Sequence, residues 1–227
     1  MTLALLHTVV VVGVGDYLAQ TQPQASLRMG RDSPEVLASV ALEALQARAG
    51  RLTMRYALAA LDRSPLDARA LRMEALGLQS QGMATQAAGL MHFAGARTWR
   101  DDGVQIWLLR DAISRKDFAQ AYLNADALAR RRSDLWPDLF LLLDEGVGEK
   151  AAMDPLVARL AKRPNWRQPF LESVALSGLP DRNVALLFQM IDKGPAPLEG
   201  MEVSYYPRRL VREGRYRDAN EPTSAKK

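Results

Sequence analysis

From Ser33 onward, the hydrophobic positions recur at helical spacing and are interrupted by short turns. Ser33 followed by Pro34 is typical of a helix N-cap and the first helical position after it. Gly50 separates this helix from a second one, and Pro65 ends the unit. The pattern therefore predicts a helical hairpin. Its apolar positions are Leu37, Val40, Ala41, Ala44 and Leu45 in the first helix, and Leu52, Tyr56, Ala59 and Ala60 in the second.

The hairpin pattern repeats with a period of 34 residues, in units that begin at Pro34, Ala68 and Asp102. Small residues recur where the two helices of a hairpin approach closely, at Thr53, Ala87 and Ala121, and again at Ala60 and Ala94. A lone amphipathic helix has no reason to keep such a register. Stacked hairpins do, because each unit buries its apolar face only against the next one.

These residues resemble the tetratricopeptide repeat family. Gly82 occupies the turn position of the second unit, and Lys116-Asp117-Phe118 stands where the family favours Gly-Asp-Tyr. Pro65 matches the closing proline of the family, whereas the first unit has Arg48 where glycine is usual. The resemblance covers roughly residues 34–135. It implies an all-α fold, a right-handed α-solenoid of stacked helical hairpins.

The chain is predicted to contain four segments. Residues 1–31 are an apolar N-terminal segment and linker, 32–135 are three repeats, 136–221 are degenerate helical repeats, and 222–227 are a polar tail. In the last unit Pro207 falls mid-helix, so that helix should be kinked or should start late. The last unit is only half a repeat, which leaves an apolar face for a continuation of the natural chain past Lys227 or for another chain to cover.

The N-terminal segment contains an apolar run from Leu3 to Val14. Its length suits the apolar region of a secretory signal or a short membrane anchor, although no Lys or Arg precedes it. The alternatives are a buried N-terminal helix or strand, or a start codon assigned too far downstream. An export signal or anchor would place the protein in the bacterial cell envelope, in the periplasm or at the membrane. Without one, the protein would be cytoplasmic.

Composition narrows the possible chemistry. The 227 residues contain no Cys, which excludes disulfides, thiolate nucleophiles and zinc–sulfur sites, and their two His are His7 and His92. The net charge of +4 is far from the charge density of a dedicated nucleic-acid binder. We therefore expect no metal, cofactor or nucleic-acid partner.

No catalytic constellation is predicted, so we expect a protein that is not an enzyme. His92 has no nucleophile at a suitable spacing, and the carboxylate pairs Asp101-Asp102 and Asp144-Glu145 fit helix caps and helix ends better than metal ligands. The run Arg130–Arg132 fits a helix end, where cations complement the helix dipole. The cluster Arg208, Arg209, Arg212, Arg215 and Arg217 lies in a stretch of mixed charge.

The remaining candidate site is the groove that the family resemblance places along the first helices of the hairpins. An exposed Trp107 beside Arg72 and Arg110 would combine an apolar anchor with guanidinium groups that pair with carboxylates. The alternative is that Trp107 packs between hairpins. The predicted groove residues are Arg69, Arg72, Met73, Gln79, Trp107 and Arg110.

The sequence thus predicts a non-enzymatic scaffold that binds a protein or peptide partner, an acidic one in particular, in this groove. The degenerate second half and the apolar N-terminal run are similar to envelope-associated repeat proteins of bacteria, some of them linked to polysaccharide assembly. The alternative is an accessory or oligomerisation domain of a larger envelope enzyme or complex. If the N-terminal run is an anchor, membrane attachment would occur through residues 3–14 under either hypothesis.

Overall fold

The computed structural model describes residues 21–220, and the regular secondary structure of this part of the chain is helical, with thirteen α-helices and no strand. The predicted all-α class is confirmed. The apolar run at residues 3–14, with His7, and the predicted tail at 222–227 lie outside the described residues. Between residues 21 and 220, no helix combines the length and the hydrophobicity needed to cross a membrane.

The helices follow one another with short connections, and a single 3-10 turn spans Ser133–Leu135. They are α1 (Pro23–Arg28), α2 (Pro34–Gln46), α3 (Gly50–Arg63), α4 (Ala68–Ser80), α5 (Ala84–Arg97), α6 (Asp102–Ser114), α7 (Phe118–Ala129), α8 (Trp136–Asp144), α9 (Lys150–Leu160), α10 (Arg167–Leu176), α11 (Asp181–Asp192), α12 (Glu202–Arg212) and α13 (Tyr216–Asn220).

Helix starts follow the predicted period. The helices α2, α4, α6 and α8 begin 34 residues apart. Three of these helices have an N-cap side chain directly before them: Ser33 accepts from the Val36 N–H at 3.4 Å, Asp67 from Ala70 at 2.8 Å, and Asp101 from Val104 at 2.9 Å. Each cap satisfies an N–H that the first turn of a helix leaves unpaired. The N-cap predicted for Ser33 and for the Asp101-Asp102 pair is confirmed.

The turns inside the hairpins follow the same period. Arg48, Gly82 and Lys116, again 34 residues apart, adopt φ of 56°, 81° and 58°. This left-handed conformation reverses the chain after a helix and favours glycine, because a Cβ is strained there. The fold therefore requires the same backbone geometry in all three turns, although only the second has the residue best suited to it.

The described residues divide into two compact units at Val104 and Gln105, a boundary inside α6 and inside the third predicted repeat. In the first unit, α2 packs on α3, α3 on α4 and α4 on α5, and α2 also contacts α4. Two glycines permit the close approach of α3 and α4. A Cβ on Gly50 would lie 2.3 Å from the Ser80 hydroxyl oxygen, and one on Gly77 would lie 2.6 Å from Cγ of Met54.

In the second unit, each helix from α7 to α12 contacts the helix two positions before or after it along the chain. The first helices of successive hairpins, α8, α10 and α12, contact in series, as do the second helices α7, α9 and α11. The core between them is aromatic: Trp166 and Phe170 are fully buried, and the rings of Phe140 and Phe170 meet edge-on at 5.4 Å. Each hairpin of this unit is therefore packed against its sequence neighbours.

Pro207 lies inside α12, so the predicted late start of this helix is wrong. A proline within a helix leaves the carbonyl four residues earlier without its N–H partner. That residue is Val203. It is exposed, so water can donate a hydrogen bond to its carbonyl oxygen.

Candidate interaction surfaces

The first-helix face of the first unit is formed by α2 and α4. Arg69 and Gln79 are exposed near opposite ends of α4, and Leu42 of α2 is 38% exposed. Glu35 of α2 lies within electrostatic reach of Arg69. A hydrogen bond from its own backbone N–H, another with the Ser33 hydroxyl and the charge of Arg69 lower the pKa of Glu35. The helices α2 and α4 thus present both signs of charge and an exposed leucine.

Two of the four predicted groove residues on α4 have internal roles. Arg72 is half-buried and forms an ion pair with Asp101, with 2.9 Å between Nε and Oδ1, so its guanidinium links α4 to the residue that caps α6. Met73 is fully buried and packs with Ala41 and Ala57. Met73 presents no surface to a partner, because α4 packs against both α2 and α3 and buries two of its faces.

The other two predicted groove residues lie on α6. Arg110 is exposed and forms no ion pair among the described residues. Trp107 is half-buried and interacts with another residue. The α4 residues belong to the first unit and these two to the second, so the predicted groove residues are divided between two compact units.

An open depression of about 510 Å³ lies along α3, on the second helix of the first hairpin. Sequence reasoning missed it, because the groove was expected on the first helices only. The signal was present as two exposed arginines four residues apart, Arg51 and Arg55. The lining residues are Arg51, Met54, Arg55, Leu58, Ala59, Asp62 and Gln81.

Residues with catalytic potential are dispersed. Over residues 21–220 there is no group of three His, Cys, Asp or Glu side chains that could hold a metal ion. His92 is exposed on α5. Asp144 is half-buried at the end of α8, its Oδ1 has no hydrogen-bond partner in the described part of the chain, and burial raises its pKa to about 6.

The arginine run after α7 has local partners. Arg130 pairs with Asp126 at 2.8 Å and Arg132 with Asp134 at 2.6 Å, while Nε of Arg131 donates to the Ala127 carbonyl at 3.0 Å. These contacts support the structural interpretation of the run as a helix end, because arginines satisfy carboxylates and a terminal carbonyl there.

The second unit contains buried charged residues that sequence reasoning did not identify. Arg167 is 2% exposed and binds both carboxylate oxygens of Glu202, at 2.9 and 2.8 Å, and it also donates to the carbonyls of Leu160, Ala196 and Pro197. It thereby ties α10 to α12 and to the loop between α11 and α12. Five donors in one planar group suit this role.

Arg209 has a comparable role, although it belongs to the predicted surface cluster. It is buried, donates to the Ser177 and Leu179 carbonyls at 2.9 and 2.7 Å, and pairs with Glu213 at 2.9 Å. Arg215 pairs with Asp181 and Asp218. This part of the cluster therefore fixes the α10–α11 turn to α12.

No protein-family model matches the chain, and neither the curated proteins nor the solved structures include a match.

Proposed function

We propose that the protein is an α-solenoid scaffold of the tetratricopeptide-repeat type, without enzymatic activity, that binds a segment of a protein partner on the first helices of its hairpins. The observation that carries the proposal is the shared 34-residue register of the N-caps Ser33, Asp67 and Asp101 and of the left-handed turns at residues 48, 82 and 116. Repeated hairpins of this kind bind partners through an extended shared face.

In the first unit, the binding face is defined by the exposed members of the predicted set on α4, Arg69 and Gln79, together with Leu42 of α2. Arg72 holds this face in place through Asp101. An exposed arginine and an exposed leucine on the first helices favour an acidic partner segment with an apolar residue, because a guanidinium group binds a carboxylate with two hydrogen bonds. The proposed setting in the bacterial envelope, with attachment through residues 3–14, derives from the family resemblance.

Photo-crosslinking tests the proposal. A photoreactive amino acid is placed at Leu42 or at Gln79 in the full chain, expressed in its native host, and a control is placed at exposed Ala151 on α9. We expect the first two positions to capture the same partner and the control not to capture it. Arg69→Glu with Gln79→Glu should abolish the capture from position 42, with helix content by circular dichroism unchanged. Unchanged capture by this double variant would exclude the first-helix face as the binding site.

A second function, self-association or docking in a larger complex, is favoured by an apolar strip on the last hairpin. Val203 and Val211 of α12 are 55% and 46% exposed and lie with Pro207 at successive turns of one helix face. Light scattering after size-exclusion chromatography tests it. An oligomer that Val203→Ser with Val211→Ser converts to a monomer would support this function, and a wild-type monomer would contradict self-association.

A further inference from the structure

The depression along α3, here called the α3 groove, is a second surface that the proposed function does not use. Its lining residues Arg51, Arg55, Leu58 and Asp62 are spaced by four, three and four residues. This spacing places them in one row along a helix, about 16 Å long at the usual helical rise. Met54 and Ala59 also line the depression, as does Gln81 from the turn after α4, which contacts Met54 and the Gly77 carbonyl.

The charges of the α3 groove are uncompensated. Arg51, Arg55 and Asp62 are exposed and form no ion pair within residues 21–220. Some arginines elsewhere pair within their own helix or with the helix before them, as Arg115 does with Asp111 and Arg130 with Asp126 at the (i, i+4) spacing. The α3 groove therefore carries two free positive charges at one end and a free negative charge at the other.

These charges act against the helix that carries them. Arg51 lies in the first turn of α3, where positive charge opposes the helix dipole, and no acidic residue or capping side chain offsets it. Like charges at (i, i+4), as in Arg51 and Arg55, also destabilise a helix. Between them and Asp62 lies Leu58, which is 44% exposed. The charges of Arg51 and Arg55 therefore do not stabilise α3.

We propose that the α3 groove binds an acidic amphipathic helix of another protein. The complementary helix carries two carboxylates one turn apart for Arg51 and Arg55, an apolar side chain for Leu58 and Met54, and a basic side chain for Asp62. If it lies parallel to α3, its acidic residues fall in its first turns and its basic residue in its last turn, as the helix dipole favours. An anionic membrane surface fits less well, because Asp62 would face it directly.

Selection from a peptide library tests this inference on the full chain. The library consists of alanine-based helical peptides randomised at positions i, i+4, i+7 and i+11, and the Arg51→Glu/Arg55→Glu protein is present as a soluble competitor. We expect enriched peptides with acidic residues at the first two positions and an apolar residue at the third. A synthetic peptide of the enriched sequence should bind the double variant at least about tenfold more weakly than the wild type.

The matched control is Arg182→Glu with Arg208→Glu, which changes the net charge equally at exposed positions outside the α3 groove and should leave peptide affinity unchanged. A charge-swapped peptide, with lysines at its first two positions, should bind the Arg51→Glu/Arg55→Glu variant and not the wild type. This rescue shows that the variant is folded. Enriched peptides without acidic residues, equal weakening by the control pair, or Arg51-dependent binding to phosphatidylglycerol vesicles would each overturn the inference.

Discussion

Individual charged side chains are buried in the core of the second unit together with their hydrogen-bond partners. Asp126 accepts hydrogen bonds from Nε1 of Trp166 at 2.8 Å and from Arg159 at 3.4 Å, although it is nine-tenths buried. Arg167 and Glu202 form a similar buried pair. Buried ions require such partners, because an unpaired charge in a core costs several kcal/mol, about 3–5 when one partner of a pair is removed. Most of these contacts join residues about 30 to 40 positions apart, so they hold successive hairpins together.

Asp144 is the exception, a half-buried carboxyl whose Oδ1 has no partner in the described structure. Its pKa in the folded protein, about 6, lies above the ordinary value of 3.8, so the folded state binds its proton more tightly than the unfolded state does. The free energy of unfolding is therefore highest, with respect to this group, below its unfolded pKa. It falls as the pH rises through the folded value.

We predict that Asp144→Asn raises the free energy of unfolding at neutral pH by about 1 kcal/mol, since partial solvent screening reduces the full effect of the shift. Near the ordinary pKa of an aspartate the difference should vanish. Urea denaturation followed by circular dichroism at both pH values measures it. Glu145→Gln, at the exposed neighbour, is the control and should change stability by less than about 0.5 kcal/mol at either pH. Equal effects of Asp144→Asn at both pH values would contradict the prediction.

At the scale of elements, the three hairpin turns at residues 48, 82 and 116 share a left-handed backbone conformation. They differ in how well the residue at that position suits this conformation. We predict that Arg48→Gly raises the free energy of unfolding by about 0.5–1 kcal/mol, because glycine removes the strain of a Cβ at φ 56° at some cost in unfolded-state entropy. Gly82→Ala should lower it by about 1–2 kcal/mol. No heavy atom lies within 4 Å of the Cβ added at Gly82. The loss of stability would therefore come from the backbone conformation alone and not from a steric clash. Urea denaturation of the two variants measures both changes in the free energy of unfolding. A lower value for Arg48→Gly than for the wild type would show that the turn is not strained.

Two helical glycines are predicted to respond in opposite directions to alanine. Gly77 is buried against Met54, so Gly77→Ala should lower the free energy of unfolding by about 1–3 kcal/mol through overpacking. Gly89 of α5 has open space where a Cβ would be, so Gly89→Ala should raise it by about 0.5–1 kcal/mol through helix propensity. Thermal melts of the two variants compare these effects directly. If both variants gained stability, the close approach of α3 and α4 would not constrain Gly77.

The sequence predicts elements here better than it predicts surfaces. Caps, turns and helical spacing are local features, so Ser33, Asp101 and the 34-residue period indicated the hairpins directly. The environment of Met73 depends on which two helices contact α4, and the partner of Arg72 lies 29 residues away. Neither the helices that contact α4 nor the partner of Arg72 can be inferred from the spacing of residues within one helix. Buried arginines such as Arg167 were missed for a related reason, because their burial depends on acceptors supplied by other helices.

At the scale of the molecule, the packing is a series of contacts between near neighbours within each unit. In such an arrangement, stability is a sum over hairpins and their interfaces, so a local defect should loosen the helices that contact it before more distant ones. In the second unit, α10 contacts α8 and α12, and its Leu171 is fully buried. This makes Leu171 a suitable position to test how far a defect spreads.

We predict that Leu171→Ala, which should lower the free energy of unfolding by about 2–5 kcal/mol, accelerates amide hydrogen exchange most in α8, α10 and α12. Exchange in α7 should change less, because the main helix contacts of α7 are with α8 and α9. Mass spectrometry of peptic fragments resolves the helices, and Leu141→Ala on exposed α8 surface is the control, expected to leave exchange unchanged. An equal increase from α7 to α12 would mean that the unit unfolds as one block, and the description of its hairpins as separable repeats would then fail.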